Sequence, residues 1–175
     1  MSSLSTRSFV HAFKAAAVAA ALVLTGSPGH AQGSAQAAAG PFEDFAGSWS
    51  GTGTVSLSNG TNERIRCRAS YHVTEAGRLL SQDLRCASDS YKFELQTTVA
   101  HQGGSISGTW NETTRSVVGS ISGRISGGTI QAQASSAAVS ANLSVVTRGN
   151  QQSVTIQSPG SEVSEVSITL RRGSR

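Results

Sequence analysis

The sequence is short of most residues that carry chemistry. Its 175 residues include two cysteines, two tryptophans, two tyrosines, three prolines, one methionine and four histidines. So few Cys and His exclude most metal centres and most nucleophilic catalysis. Nine aromatic residues cannot form the girdles of a transmembrane barrel. The longest apolar run, Ala15 to Leu24, is ten residues, too short to span a bilayer. No acidic residue precedes Glu43.

Those last two features define an export signal. Arg7 and Lys14 give a positive start, the apolar run follows, and Gly29-His30-Ala31 offers small residues at the cleavage site. Cleavage is expected after Ala31, by the general export route because no twin arginine is present. No Cys follows the run, so no lipid anchor is expected. The signal has bacterial proportions, which places the protein in the periplasm or the medium. Residues 32–40 are small and polar without periodicity and are expected to form a flexible tether. The folded domain is expected over residues 41–175, one domain by length.

Removing the signal changes the charge. The whole chain has 14 Lys+Arg against 10 Asp+Glu; residues 32–175 have 12 against 10, a net of +2. The nominal pI of 9.7 therefore overstates the basicity. Nucleic acid is not an expected partner.

What remains is rich in strand and turn residues. Residues 32–175 hold 25 Ser, 13 Thr and 17 Gly, and no capped helical stretch occurs. Alternation with period two recurs instead. Ile65, Cys67, Ala69, Tyr71 and Val73 alternate with Arg64, Arg66, Arg68, Ser70 and His72. Phe93, Leu95, Thr97 and Val99 alternate with Lys92, Glu94, Gln96 and Thr98. Turn signals such as Ser58-Asn59-Gly60, Ala76-Gly77, Gly103-Gly104, Asn111 to Arg115, Gly127-Gly128 and Ser158-Pro159-Gly160 separate the runs. The pattern predicts an all-β fold of about ten strands: a single antiparallel up-and-down β-barrel, with a flattened β-sandwich as the alternative. Closure is favoured because it removes free edges. Gly104-Ser-Ile-Ser-Gly108 recurs as Gly119-Ser-Ile-Ser-Gly123, read as two neighbouring strands using the same small residues to bend.

The cysteines can be placed by register. A turn between Ala76 and Gly77 sets Cys67 opposite Cys86, Ala69 opposite Leu84, Tyr71 opposite Gln82 and Val73 opposite Leu80. In an oxidising compartment this predicts a Cys67–Cys86 disulfide. A redox pair lacks both CxxC spacing and a nearby base.

Two segments carry a family resemblance. Pro41 to Ala46 reads as a short helical turn running into Gly47-Ser48-Trp49 on the first strand, and the last strand ends Leu170-Arg171-Arg172. This arrangement resembles the calycin superfamily of lipocalin-like and nitrobindin-like barrels. The whole segment also looks like small secreted proteins of alphaproteobacteria. The resemblance implies that Trp49 lies across the closed end of a barrel with Arg172 packed over it, both structural. Gly-x-Trp recurs at Gly108-Thr109-Trp110, and the other lipocalin motifs are absent. Nitrobindin-like members bind haem through a late His, whereas the last His here is His101. No cofactor is expected.

No catalytic residue is assigned. His72 falls on an outward strand face and His101 is read into a loop, neither with a partner at motif spacing. No Gly-x-Ser-x-Gly elbow occurs. Glu43/Asp44 and Asp83/Asp89 read as solvated charges. Arginine dominates the basic residues, and Arg64, Arg66, Arg68 and Arg85 share one outward patch. Asp83 and Glu63 are expected to compensate it; otherwise it is a docking stripe for an anion or a partner protein. Two functions follow. One is a non-enzymatic carrier whose interior Tyr71, Gln82, Phe93 and Trp110 hold a small apolar or amphiphilic ligand. The small inward residues Gly51, Gly53, Ala69, Gly108, Gly119 and Gly123 would leave room for it, or equally would let a flattened barrel collapse to a dry core. The other is a periplasmic protease inhibitor or envelope interaction protein acting through the tail or the arginine face. Cavity volume separates them.

Overall fold

The computed structural model describes residues 39–174. The expected signal (1–31) and all but the end of the expected tether (32–40) lie outside the described residues. Among the described residues, no helix is long and apolar enough to cross a membrane.

A 3-10 turn, Glu43–Phe45, leads into ten antiparallel strands. They are β1 (Gly47–Leu57), β2 (Asn62–Thr74), β3 (Leu79–Ala87), β4 (Lys92–Gln102) and β5 (Ser105–Glu112). Then come β6 (Val117–Ser126), β7 (Thr129–Ser135), β8 (Ser140–Arg148), β9 (Gln151–Gln157) and β10 (Val163–Arg172). Each strand pairs with its sequence neighbours, and β10 returns to β1, so the sheet closes into an up-and-down barrel. The closing pair runs from Trp49 opposite Arg172 to Leu57 opposite Val163. The sandwich alternative is thereby replaced by closure.

Burial follows the sequence alternation. On β2 Ile65, Cys67, Ala69 and Tyr71 are buried, and the residues between them are exposed. The β2–β3 register sets Cys67 against Cys86, Ala69 against Leu84, Tyr71 against Gln82 and Val73 against Leu80. The Cys67–Cys86 disulfide is formed. Gly77 lies in this hairpin with φ +83°, and a Cβ there would come within 2.6 Å of the Gly40 Cα. Gly40 and Phe42 donate backbone hydrogen bonds to the Ala76 and Gly77 carbonyls, docking the start of the domain on this turn.

The repeated Gly-Ser-Ile-Ser-Gly segments pair with each other. Ile106 lies opposite Gly123, and Gly108 opposite Ile121. Each isoleucine therefore faces a residue without a side chain. A Cβ at Gly108 would sit 1.9 Å from the Thr98 carbonyl oxygen, and one at Gly119 would sit 2.7 Å from the Trp110 ring. Gly51, Gly53 and Gly123 likewise abut backbone of the adjacent strand. The expectation that these glycines simply leave room for a ligand needs correction. Tight coiling of the sheet uses the space a side chain would take.

Two local readings also change. His101 belongs to β4, opposite Ile106, and not to a loop. The strand β5 continues through Glu112, so the Asn111-to-Arg115 turn is confined to its second half.

Candidate functional site: an apolar chamber in the barrel

One end of the barrel is sealed. Phe42, Phe45 and Trp49 are buried there, with Phe42–Phe45, Phe45–Tyr71 and Trp49–Tyr71 in edge contact. The Trp49 Nε1–H donates to the Phe45 carbonyl at 2.8 Å. Arg172 lies 4.5 Å from the Trp49 ring centroid, and its guanidinium donates to the carbonyls of Ala46 and Asp44. Its Nε is buried and has no hydrogen-bond partner among the described residues, which fits a guanidinium held flat on the indole. The last strand thus ties down the turn that plugs the bottom. His101 also serves this end: it packs edge-on against Phe42, and its Nε2 accepts the Gly104 N–H at 2.9 Å.

Above the plug the interior is hollow. An inner cavity of about 190 Å³ is lined by Tyr71, Gln82 and Trp110 and by apolar side chains from most of the strands. Among the described residues, no ionisable group other than the Tyr71 phenol lines it. A second cavity, of about 330 Å³, lies towards the opposite end, where Tyr91, Arg115, Ser158, Ser161 and Glu162 belong to loops. Leu95, Trp110, Val139, Ala141 and Ile156 line both. The two are therefore adjoining compartments of one chamber, with a floor at Tyr71 and a mouth at the loops.

The polar floor is small and directional. Gln82 Nε2 donates to the Tyr71 oxygen at 3.1 Å, and the Tyr71 hydroxyl donates to Gln152 Oε1 at 2.6 Å. Gln152 Nε2 donates in turn to Thr147 Oγ1 at 2.9 Å. Burial pushes the Tyr71 phenol well above its ordinary value, against the opposing effect of its bonds to Gln152 and Gln82. The phenol stays neutral, and it uses both donor and acceptor within the network. Among the described residues Gln82 makes one side-chain hydrogen bond, so the rest of its amide can face a ligand.

The mouth carries the charge. Arg115 lies 4.9 Å from the Tyr91 ring centroid and 3.6 Å from Glu112. Burial raises the Glu112 carboxyl, but hydrogen bonds from Thr114, the Glu94 N–H and the Arg115 N–H outweigh it and hold the group below its usual range. Desolvation raises the Tyr91 phenol.

Tyr71, Gln82 and Trp110 line the inner compartment, while Phe93 and Trp110 line the outer one. Trp110 also donates its Nε1–H to the Ser120 carbonyl at 3.0 Å. Gln152, Thr147, Tyr91 and Arg115 were not singled out from sequence. Gln152 shares the inward parity of Val154 and Ile156, and a glutamine on an apolar strand face was a usable signal. Arg115 sits in a turn and left no such trace.

The arginine patch differs from expectation in its surroundings. Arg64, Arg66, Arg68 and Arg85 are exposed, and Arg68 lies directly opposite Arg85. Neither expected acid forms an ion pair with them among the described residues. Glu63 has the opposite parity and accepts hydrogen bonds from Ser88 and Ser90; Asp83 accepts one from Gln96. Alternation gives Glu63 the opposite parity, although at the strand end it still lines a groove with Arg64, Arg66 and Asp89. Among the described residues, ion pairs join only Lys92 to Glu94 and Arg115 to Glu112.

The fold has known counterparts. The chain is similar in structure to Rv2717c from M. tuberculosis, with a TM-score of 0.61 at 13% identity, covering 75% of this chain and 94% of that one. It is also similar to the S-type phycobiliprotein lyase CPES from Guillardia theta, with a TM-score of 0.53 at 10% identity, covering 77% of this chain and 91% of that one. At such identities the likeness is one of fold alone: a closed antiparallel β-barrel. No protein-family profile and no curated protein matches the sequence.

Proposed function

We propose that the protein is an exported, non-enzymatic carrier that holds a small ligand inside its barrel. The chamber carries this reading. It is walled by apolar side chains, closed at one end, and of a size with ordinary ligand pockets, which run on the order of 300–1,000 Å³. The general resemblance to a phycobiliprotein lyase supports a ligand-holding barrel by fold alone. A barrel packed solid would have favoured the inhibitor or envelope-partner alternative.

The lining also defines the ligand. An apolar body matches the walls. At the floor Tyr71 is neutral and Gln82 offers an amide, so a buried charged head would find no counter-ion there. A neutral hydrogen-bonding end, such as a hydroxyl, carbonyl or amide, suits the floor. Charge on the ligand belongs at the mouth, beside Arg115 and Glu112. The export signal and the disulfide support a periplasmic or secreted setting.

Titration with a neutral environment-sensitive dye, N-phenyl-1-naphthylamine, tests the chamber. Saturable fluorescence enhancement is expected, and Ala141→Trp, which fills the junction of the compartments, abolishes it. Equal binding by the filled variant, or no binding by the parent, would contradict the carrier reading.

A further inference from the structure

We propose that the outer face of β10, β1, β2 and β3 is a docking surface for a flexible acidic polysaccharide. Five exposed arginines meet there. Arg64, Arg66 and Arg68 follow one another along β2, about 6.6 Å apart by strand geometry. Arg171 on β10 pairs with Ser50, Ser50 with Arg68, and Arg68 with Arg85, so a second row crosses four strands. The column and the row intersect at Arg68.

The patch is compensated only in part: behind the larger effect of Lys92, the Arg85 charge helps to lower the Glu94 carboxyl across the strand pair, but the two form no close ion pair. None of the five has a carboxylate within 4.0 Å among the described residues. Nearby acids are otherwise engaged: Glu94, opposite Arg85, pairs with Lys92 at 3.0 Å, Asp83 takes Gln96, and Glu63 takes Ser88 and Ser90. Glu63 and Asp89 line a groove of about 310 Å³ with Arg64 and Arg66 at the patch edge, so anion binding is expected to centre on Arg66, Arg68, Arg85 and Arg171. A like-charged pair set directly opposite on neighbouring strands is unfavourable in the free protein, and a bound anion relieves it.

The rest of the face selects among anions. Beside the arginines lie the exposed hydroxyls of Ser50, Thr52 and Thr54 on β1 and Ser167 and Thr169 on β10, with Ala87 opposite Arg66 and Asp83 at the β3 margin. The one large hydrophobic residue strongly exposed among the described residues is Val118, on β6. The face therefore lacks the aromatic or aliphatic anchor typical of a protein interface. It lacks the apolar groups that insert into a bilayer. It is also the convex outside of a barrel, which a planar membrane meets along a narrow strip. A flexible chain can follow the curve. Carboxylates or sulfates fit the guanidinium forks, and sugar hydroxyls fit the Ser/Thr rows.

The test uses the oxidised exported protein and polygalacturonate, with neutral dextran and phosphatidylglycerol/phosphatidylcholine vesicles as parallel probes. Polygalacturonate is expected to bind, and to weaken by more than about tenfold as salt rises from about 0.02 to about 0.3 M. Dextran and vesicles are expected not to bind. Arg66→Gln/Arg68→Gln/Arg85→Gln is expected to lose binding, while Arg124→Gln/Arg148→Gln, placed on other strands, keeps it. Thermal melts confirm folding, and should the triple variant fail to fold, Arg66→Gln and Arg171→Gln singly carry the test. Equal loss in both multiple variants would reduce the effect to net charge and overturn the proposal. So would binding to vesicles alone, or no binding to polygalacturonate.

Discussion

Tyr71 joins the sealed end to the chamber. Its ring packs against Phe45 and Trp49, and its hydroxyl holds Gln82 and Gln152. Tyr71→Phe keeps the packing and leaves the buried Gln152 Oε1 unpaired, at a cost of about 1–3 kcal/mol in denaturant unfolding. The same residue sets an alkaline limit. Its folded pKa is raised, so the folded state keeps a proton that the unfolded chain releases above about pH 10. The stabilisation is whole below that pH and is lost as pH climbs towards the folded value. Melting temperature measured from about pH 8 to 11 should therefore fall in the parent and fall less in Tyr71→Phe. An equal fall in both would remove Tyr71 from the account. Arg172→Leu loses the guanidinium over Trp49 and its bonds to the Ala46 and Asp44 carbonyls. It is expected to cost about 1–3 kcal/mol and to raise amide exchange in residues 42–46.

The β2–β3 hairpin illustrates how far a sequence can be read. Its register followed from one turn, because local pairing is fixed by the turn and by alternation. The same hairpin sets a disulfide on its inner face beneath opposed arginines on its outer face. Cys67→Ala/Cys86→Ala is expected to lose about 3 kcal/mol. Without the crosslink, unfolding also separates Arg68 from Arg85. Added salt, which screens their repulsion, should therefore stabilise the double variant more than the parent. Identical salt dependence in urea melts would contradict this. The reading stopped where contacts ceased to be local. Closure of β1 on β10 joins residues more than a hundred positions apart, and only the general cost of free edges argued for it. The glycines misled for a related reason. Alternation assigns a face, but it does not show that a neighbouring carbonyl already fills the space beside Gly108. Gly108→Ala is accordingly expected to destabilise by about 1–3 kcal/mol, and a neutral result in thermal unfolding would count against tight coiling there. The mouth escaped notice because Tyr91 and Arg115 lie at turns, where strand periodicity gives no guidance.

At the scale of the whole molecule, a plugged barrel surrounds an apolar chamber with a neutral polar floor, a charged mouth and one arginine-rich flank. The chamber is the central claim. Native mass spectrometry of the protein purified from its own source cells tests it most directly, with a denatured, unreduced sample beside it. The denatured chain should begin at Gln32 and be two hydrogens lighter for the disulfide. The native mass should exceed it by roughly a few hundred daltons, the scale of a ligand that fills such a pocket, and lose that excess on denaturation. A native mass equal to that of the bare chain, from cells and at low activation energy, would contradict the carrier account.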